Sequence, residues 1–246
     1  MKEMINLVRG ALLLDSQTFT DLKASPDVFR KGFTLLVIVG LIVGVVVGLV
    51  GMVQSLMIDP LAEIAQARTG LEQMMKQFPG DSAQILENAE MGFKIAERIT
   101  KEAKPPLLPH PVGVIFRQLG VIVSQPFSWL GSLLLYGVLV QVFAKLLGGR
   151  GTIAQMWGLT SLTVVPHLLD ALSPLLGVIP VAGVIVSFLV GLTAFVWGVI
   201  IYVKGTAVAH EMSGGRALFA VLLPIIVTVL VALLLVVLLV VLSAAG

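Results

Sequence analysis

Apolar residues along this chain fall into five long runs separated by short polar breaks. The first, Phe33 to Ile58, holds 26 residues without a charge, and a helix of about 20 apolar residues crosses a bilayer core. Four more runs follow at about 126–147, 153–172, 178–203 and 217–242. The pattern predicts an all-α integral membrane protein with five transmembrane helices: TM1 at 33–58, TM2 at 126–147, TM3 at 153–172, TM4 at 178–203 and TM5 at 217–242. Val112 to Gln125 is also apolar, but Arg117 interrupts it and Pro126 follows it. That stretch is expected at the membrane interface, at the start of a four-helix membrane domain over 112–246 and ahead of TM2.

The polar breaks differ in kind. Residues 1–32 mix charges with Met4, Ile5, Val8, Leu12 and Leu13 at helical spacing, which predicts a short helix on the membrane surface. Ser25-Pro26-Asp27 then reads as a helix start, with Ser25 as N-cap. Residues 59–111 carry two amphipathic stretches, one after Asp59-Pro60 and one over about Ser82–Ala103, parted by Pro79-Gly80. They are expected to pair as a helical hairpin outside the membrane. Glu90–Lys94 and Glu97–Lys101 have the spacing and polarity of ion pairs along its second helix. A proline-rich hinge runs from Lys104 to Pro111.

Two breaks share three letters. Gly148-Gly149-Arg150 separates the second and third spans, and Gly214-Gly215-Arg216 the fourth and fifth. Glycine takes the left-handed conformation that ends a helix and reverses the chain, so both sites are expected to be helical hairpin turns. Their arginines would reach lipid headgroups. Within the spans, Gly40, Gly44 and Gly48 recur every fourth residue, and Gly183 and Gly191 lie on a second small-residue face, both suited to close helix packing. Pro166 and Pro224 are expected to kink their spans. The last half of TM5 is nearly all Val and Leu and is expected to face lipid.

Composition supports the membrane assignment, with 57% hydrophobic and 12% charged residues against about 25% charged in soluble domains. A net charge of +2 gives no basis for nucleic-acid binding. The absence of cysteine removes disulfides, thiol catalysis and thiolate metal sites. Arg30, Lys31, Lys145, Arg150, Lys204 and Arg216 all fall on one side of the predicted spans. By the positive-inside rule the N-terminus and both Gly-Gly-Arg turns are cytosolic, and the 59–111 hairpin and C-terminus extracytosolic, in a multi-pass protein of the cell membrane.

Several pieces together resemble the Yip-one (Ypt-interacting protein) domain family, in its prokaryotic form. They are Leu13-Leu14-Asp15-Ser16-Gln17-Thr18-Phe19, Pro126-Phe127-Ser128-Trp129-Leu130, Leu147 to Thr152, Pro166, Trp197, Val208 to Ala217 and Pro224. The resemblance implies five membrane helices and a cytosolic N-terminus. Eukaryotic relatives act in vesicle trafficking and associate with Rab-type GTPases, and they carry an Asp-Leu-Tyr-Gly-Pro motif. Residues 1–32 lack it, so the part of the resemblance that would imply GTPase binding is missing.

Catalytic chemistry finds little footing. His210-Glu211 opens like a zinc-protease helix, but Gly214 stands where the second histidine belongs. There is no nucleophile elbow or phosphate loop. His167 and Asp170 share a helix face at i,i+3 and form a candidate intramembrane polar pair. No cofactor or metal site is expected. The chain therefore reads as a non-enzyme that sits in the lipid bilayer and associates with other membrane proteins or itself, as a scaffold, an accessory subunit or an organiser of membrane. The alternative is a transporter or channel for a small or lipidic substrate, which would need facing polar residues from several spans.

Overall fold

The computed structural model describes residues 2–57, 60–77, 82–102, 110–176 and 182–245. These residues are helical almost throughout: α1 (Lys2–Leu12), α2 (Ser16–Ala24), α3 (Val28–Met57), α4 (Pro60–Gln77), α5 (Ser82–Glu102), α6 (His110–Leu146), α7 (Ile153–Thr160), two 3-10 segments (Ser161–Val164 and Pro166–Leu172), α8 (Ser173–Leu176), α9 (Ala182–His210) and α10 (Gly214–Ala245). Five stretches are long and apolar enough to cross a membrane: Val28–Met57, Pro111–Leu146, Ile153–Leu176, Gly183–His210 and Gly214–Val241. Outside the described residues lie Asp59, Pro79-Gly80, most of the hinge before His110, the Leu176–Ala182 connection, and the side chains of Leu61, Met74, Met75, Ile85 and Lys101.

Packing divides the chain into two compact units, 1–47 with 122–246, and 48–121. In the second unit α4 and α5 pair as expected. Arg68 of α4 bonds Glu90 of α5 and lies 3.6 Å from Glu72 on its own helix. Glu90 thus reaches across the hairpin to Arg68 instead of along α5 to Lys94. Gln118 is buried, and Gly51 makes room for it, since an added Cβ there would lie 3.0 Å from its Oε1.

The core of the first unit gathers Leu35, Leu36, Val39 and Val43 of α3, Val140 and Ala144 of α6, Met156 and Leu159 of α7, Leu162 and Val165 of the 3-10 region, and Ile201 of α9. Phe19 and Leu22 of α2 are buried among them, which revises the expectation for residues 1–32. Instead of one helix lying on the membrane, two form a hairpin. Met4 and Val8 pack on the core, while Ile5 and Leu13 are 60% and 67% exposed. The Ser25 signal is displaced as well: Ser25 ends α2, its carbonyl accepts from Val28 N at 3.2 Å, and α3 begins at Val28.

The stretch over 112–125 is not a separate element. One helix of 37 residues runs through Pro126, about 55 Å long at 1.5 Å per residue. Proline has no N–H and leaves the carbonyl four residues back without its helical donor. That carbonyl belongs to Ile122, and α3 packs on it through glycines: an added Cβ would meet Ile122 O at 2.9 Å from Gly44, and Pro126 Cα at 2.8 Å from Gly40. Backbone contact with a smooth helix face lets the proline sit mid-helix. Gly48, the third of that set, is buried. A closer crossing carries no such spacing: Cβ atoms on Gly32 and Gly158 would lie 2.3 Å from Gly158 O and 2.5 Å from Val28 O respectively.

Pro166 does more than kink the third span. From Ser161 to Leu172 the chain is wound as 3-10 helix on either side of Val165. Pro224 lies inside the unbroken helix α10, where Thr228 Oγ1 bonds its carbonyl at 2.8 Å. Residues 225–237 of α10 are mostly half exposed or more, in keeping with a lipid-facing surface. Gly191 of α9 has no described atom within 4 Å of an added Cβ. The small-residue face there packs through Ala194, fully buried, and Ser187, bonded to Ser173 O at 3.2 Å. Gly183 is buried at the start of α9.

Candidate functional site

The two Gly-Gly-Arg stretches come together at one end of the first unit but are built differently. Helix α6 ends with Gly149 N bonded to Ala144 O at 2.8 Å and Gly148 N to Lys145 O at 3.0 Å, with Gly148 at φ +88°. This is the Schellman closure, which needs a left-handed residue at its hinge. Helix α9 closes in the same way, Met212 N reaching Ala207 O at 3.1 Å, but the left-handed residue is Glu211 at φ +54°. Gly214 and Gly215 are the first residues of α10, and no described atom lies within 4 Å of an added Cβ on either. The expectation that both glycine pairs reverse the chain is therefore corrected: Gly148 does so, and Gly214 and Gly215 follow the reversal. Ser213 stands just before α10, its carbonyl accepting from Ala217 N at 3.0 Å.

The first turn instead packs on the second. Arg150 N donates to His210 O at 3.1 Å. A Cβ on Gly149 would lie 2.6 Å from His210 Nδ1, and one on Gly151 2.4 Å from Ala209 O. Gln141 Nε2 reaches Gly151 O at 3.2 Å. Thr152 then caps α7 in a capping box with Gln155. His210 is fully buried, and neither ring nitrogen has a partner among the described residues. Arg150 and Arg216 both remain exposed.

The N-terminal hairpin is fastened to the same end along one face of α9. Helix α1 closes in a third Schellman pattern, Asp15 N to Gly10 O at 2.8 Å, with Leu14 left-handed at φ +52°. Trp197 Nε1 donates to Leu12 O at 3.1 Å. Lys204 Nζ donates to Leu14 O and, at 3.0 Å, to Ser16 Oγ, while lying 5.4 Å above the Phe19 ring. Lys23 pairs with Glu211 at 2.7 Å, and Lys31 with Glu3 at 2.5 Å. Asp15 caps α2 through Thr18 N and Thr18 Oγ1 at 3.0 and 2.6 Å.

Three carboxyls here are held below their ordinary range. Glu211 is lowered by the hydrogen bond and charge of Lys23, with help from Arg150. Glu3 is lowered by the hydrogen bond and charge of Lys31, and Asp15 by the Thr18 hydroxyl and amide. Lys204, read from sequence as an orientation marker, is thus an anchor. The missed signal is spacing: Trp197 and Lys204 stand seven residues, two helical turns, apart on one face of α9, and Glu211, seven further on, is the left-handed residue just past its end.

Away from this end, His167 Nδ1 lies 2.6 Å from Asp170 Oδ2, as the i,i+3 spacing suggests, and its ring is 5.4 Å from that of Trp129. His167 borders two adjoining cavities of about 310 and 380 Å³, which it lines together with Tyr136, Thr163, Phe195 and Tyr202. Tyr136 and Tyr202 meet edge to face at 5.5 Å, and Tyr136 Oη donates to Val221 O of α10. Among the described residues no group of three or more His, Asp or Glu is placed to hold a metal ion.

A family model described as the Yip1 domain matches residues 9–238. No curated protein and no solved structure matches the chain.

Proposed function

The chain belongs to the Yip1 domain family, and from that premise we propose that it is a non-catalytic scaffold or accessory subunit for other membrane proteins, or an organiser of the bilayer around them. The observation that carries this reading is the platform at the turn end of the first unit. Trp197, Lys204 and Glu211 hold the N-terminal hairpin, and the two turns are joined through Arg150 N and His210 O. A surface held by cross-linked backbone and ion pairs presents the exposed Arg150 and Arg216 in fixed positions. Preorganisation of that kind lowers the cost of binding a partner. The half-exposed α10 offers a second, lipid-facing surface for lateral contacts. In this reading the protein spans the cell membrane with the platform and N-terminus in the cytosol, where the Lys and Arg residues belong, and with the C-terminus outside.

Capture tests the partner reading. The protein is purified from its native membranes in mild detergent, as wild type and as the Arg150→Gln and Arg216→Gln pair, and the proteins retained are compared. The expected result is a defined membrane protein held by the wild type and lost or sharply reduced with the pair. Absence of any stoichiometric partner, together with solute uptake by proteoliposomes of the pure protein, would overturn it in favour of transport. Orientation is read separately with single cysteines in this cysteine-free chain. An impermeant thiol reagent outside intact cells should label Ser243→Cys and spare Gly214→Cys; the reverse pattern refutes the orientation.

A further inference from the structure

We propose that the paired cavities beside the 3-10 segment are a binding site for a neutral lipid alcohol, a long apolar chain ending in a hydroxyl group, with His167 as acceptor of its hydroxyl hydrogen. The two cavities, about 310 and 380 Å³, lie in the size range of small-molecule sites. Their walls come from stretches long and apolar enough to cross a membrane, so a ligand reaches them from the bilayer. On the α9 and α10 side the wall is Phe195, Val199, Val221, Leu222 and Ile225, a surface for a hydrocarbon chain. On the other side stand Ser132, Tyr136, Thr163 and His167.

His167 sets the polarity of the ligand. A carboxylate has no proton to give, so with Asp170 as acceptor the bond of 2.6 Å takes its hydrogen from Nδ1. In the neutral ring Nε2 is then an acceptor. It faces α9 at Gly198, where an added Cβ would still lie 3.7 Å away, and no described group donates to it. His167 lines both cavities and its side chain is 31% exposed, so the ring remains accessible there, with Asp170 bonded to its far nitrogen. An acceptor at the edge of an apolar cavity selects a ligand that donates. The lining contains no Lys or Arg, which disfavours a phosphate headgroup that needs charged donors. Asp170 beside the acceptor disfavours a fatty-acid carboxylate by like-charge repulsion. A hydroxyl meets both conditions.

The test uses the full chain in phosphatidylcholine nanodiscs and three diazirine-bearing C16 probes: the alcohol, its methyl ether and the fatty acid. After photolysis, labelled residues are mapped by mass spectrometry. The alcohol is expected to label the segments around Tyr136, His167 and Phe195–Tyr202 about fivefold more than the ether or the acid, which corresponds to one hydrogen bond made or lost, and unlabelled hexadecanol should compete. His167→Phe keeps the ring against Trp129 and should bring the alcohol-to-ether ratio to about one. Ile225→Trp, at a half-exposed lining position, should lower labelling by all three probes. Equal labelling by the alcohol and the ether in the wild type would mean ordinary acyl-chain solvation and overturns the proposal without any variant. Retention of the alcohol preference in a folded His167→Phe overturns the role given to that residue.

Discussion

Alanine at Gly149 and alanine at Gly215 should have opposite effects on stability, although the two residues occupy the same place in the same three-letter stretch. A methyl group on Gly149 would lie 2.6 Å from His210 Nδ1, 2.7 Å from Met212 Cε and 2.8 Å from Ala144 O. The methionine tip can move. The histidine is fully buried, and the Ala144 carbonyl accepts the 2.8 Å bond that closes α6. Inserting a methyl into a packed site of this kind costs about 1–3 kcal/mol. Loosening the bond from Arg150 N to His210 O adds about 1 kcal/mol. The sum is about 2–4 kcal/mol of destabilisation. At Gly215 no described atom lies within 4 Å of the new Cβ, and the residue is helical, where alanine is favoured over glycine by about 0.5–1 kcal/mol. Thermal unfolding in detergent, followed by tryptophan fluorescence, reads both. For a chain of this length 1 kcal/mol corresponds to roughly 2–4 °C. Gly149→Ala should therefore lower the midpoint by about 5–15 °C, and Gly215→Ala should leave it unchanged or raise it by a few degrees. A similar fall in both variants would refute the assignment of different roles to the two glycine pairs.

Other perturbations report on the platform and on the helix crossing. Lys204→Met keeps the aliphatic stem over Phe19 but removes the donor to Leu14 O and Ser16 Oγ, so the segment before α3 should exchange amide hydrogen faster while α9 does not; unchanged protection of residues 2–24 would contradict the anchor. Glu3, Asp15 and Glu211 have lowered folded values, so their contribution is fully present above the ordinary carboxylate range of about 4 and is lost as pH falls through the folded values. Protection of the N-terminal hairpin should accordingly be flat from pH 7 to 5 and fall below about 4; loss already at pH 6 would point to another group. Gly44→Leu forces a side chain into Ile122 O, 2.9 Å from the new Cβ, and should cost about 1–3 kcal/mol, whereas Gly191→Leu, with open space, should cost little; equal losses in unfolding midpoint would refute the asymmetry between the two small-residue faces.

The features legible in sequence are those set by length and composition. Five apolar runs became five helices of spanning length because an uncharged run of that size has few other stable environments. The His167–Asp170 pair and the α4–α5 pairing followed from helical spacing. What sequence did not disclose depends on partners far away in the chain. Trp197 meets Leu12 and Lys204 meets Leu14 across 185 and 190 residues, and no local pattern names such a partner. Pro126 reads as a stop because proline ends most helices. Only the glycines of α3, more than 80 residues earlier in the chain, supply the surface on which a helix can continue through it. The Gly-Gly-Arg duplication misled for a related reason. A left-handed helix end favours glycine without requiring it, and α1 and α9 use Leu14 and Glu211 there.

The third span combines a legible residue with an illegible consequence. Pro166 announces a break, but the 3-10 winding begins at Ser161, before the proline. Hydroxyls lead into it: Thr160 Oγ1 bonds Met156 O at 2.7 Å, Ser161 Oγ bonds Gly158 O at 2.8 Å and Thr163 Oγ1 bonds Thr160 O at 2.7 Å. Side-chain bonds to carbonyls three or four residues back compete with the regular ladder and bend a helix. The tighter winding rises about 2.0 Å per residue instead of 1.5 Å, so a segment of modest length reaches further across the membrane. It also sets three residues to the turn, which places side chains at i and i+3 one above the other. His167 and Asp170 have that separation, and their 2.6 Å bond follows from it more directly than from α-helical geometry, where i+3 is offset by about a sixth of a turn. The sequence pattern that rewinds the span is thus the same one that aligns Asp170 with His167, the member of the pair that lines the cavities.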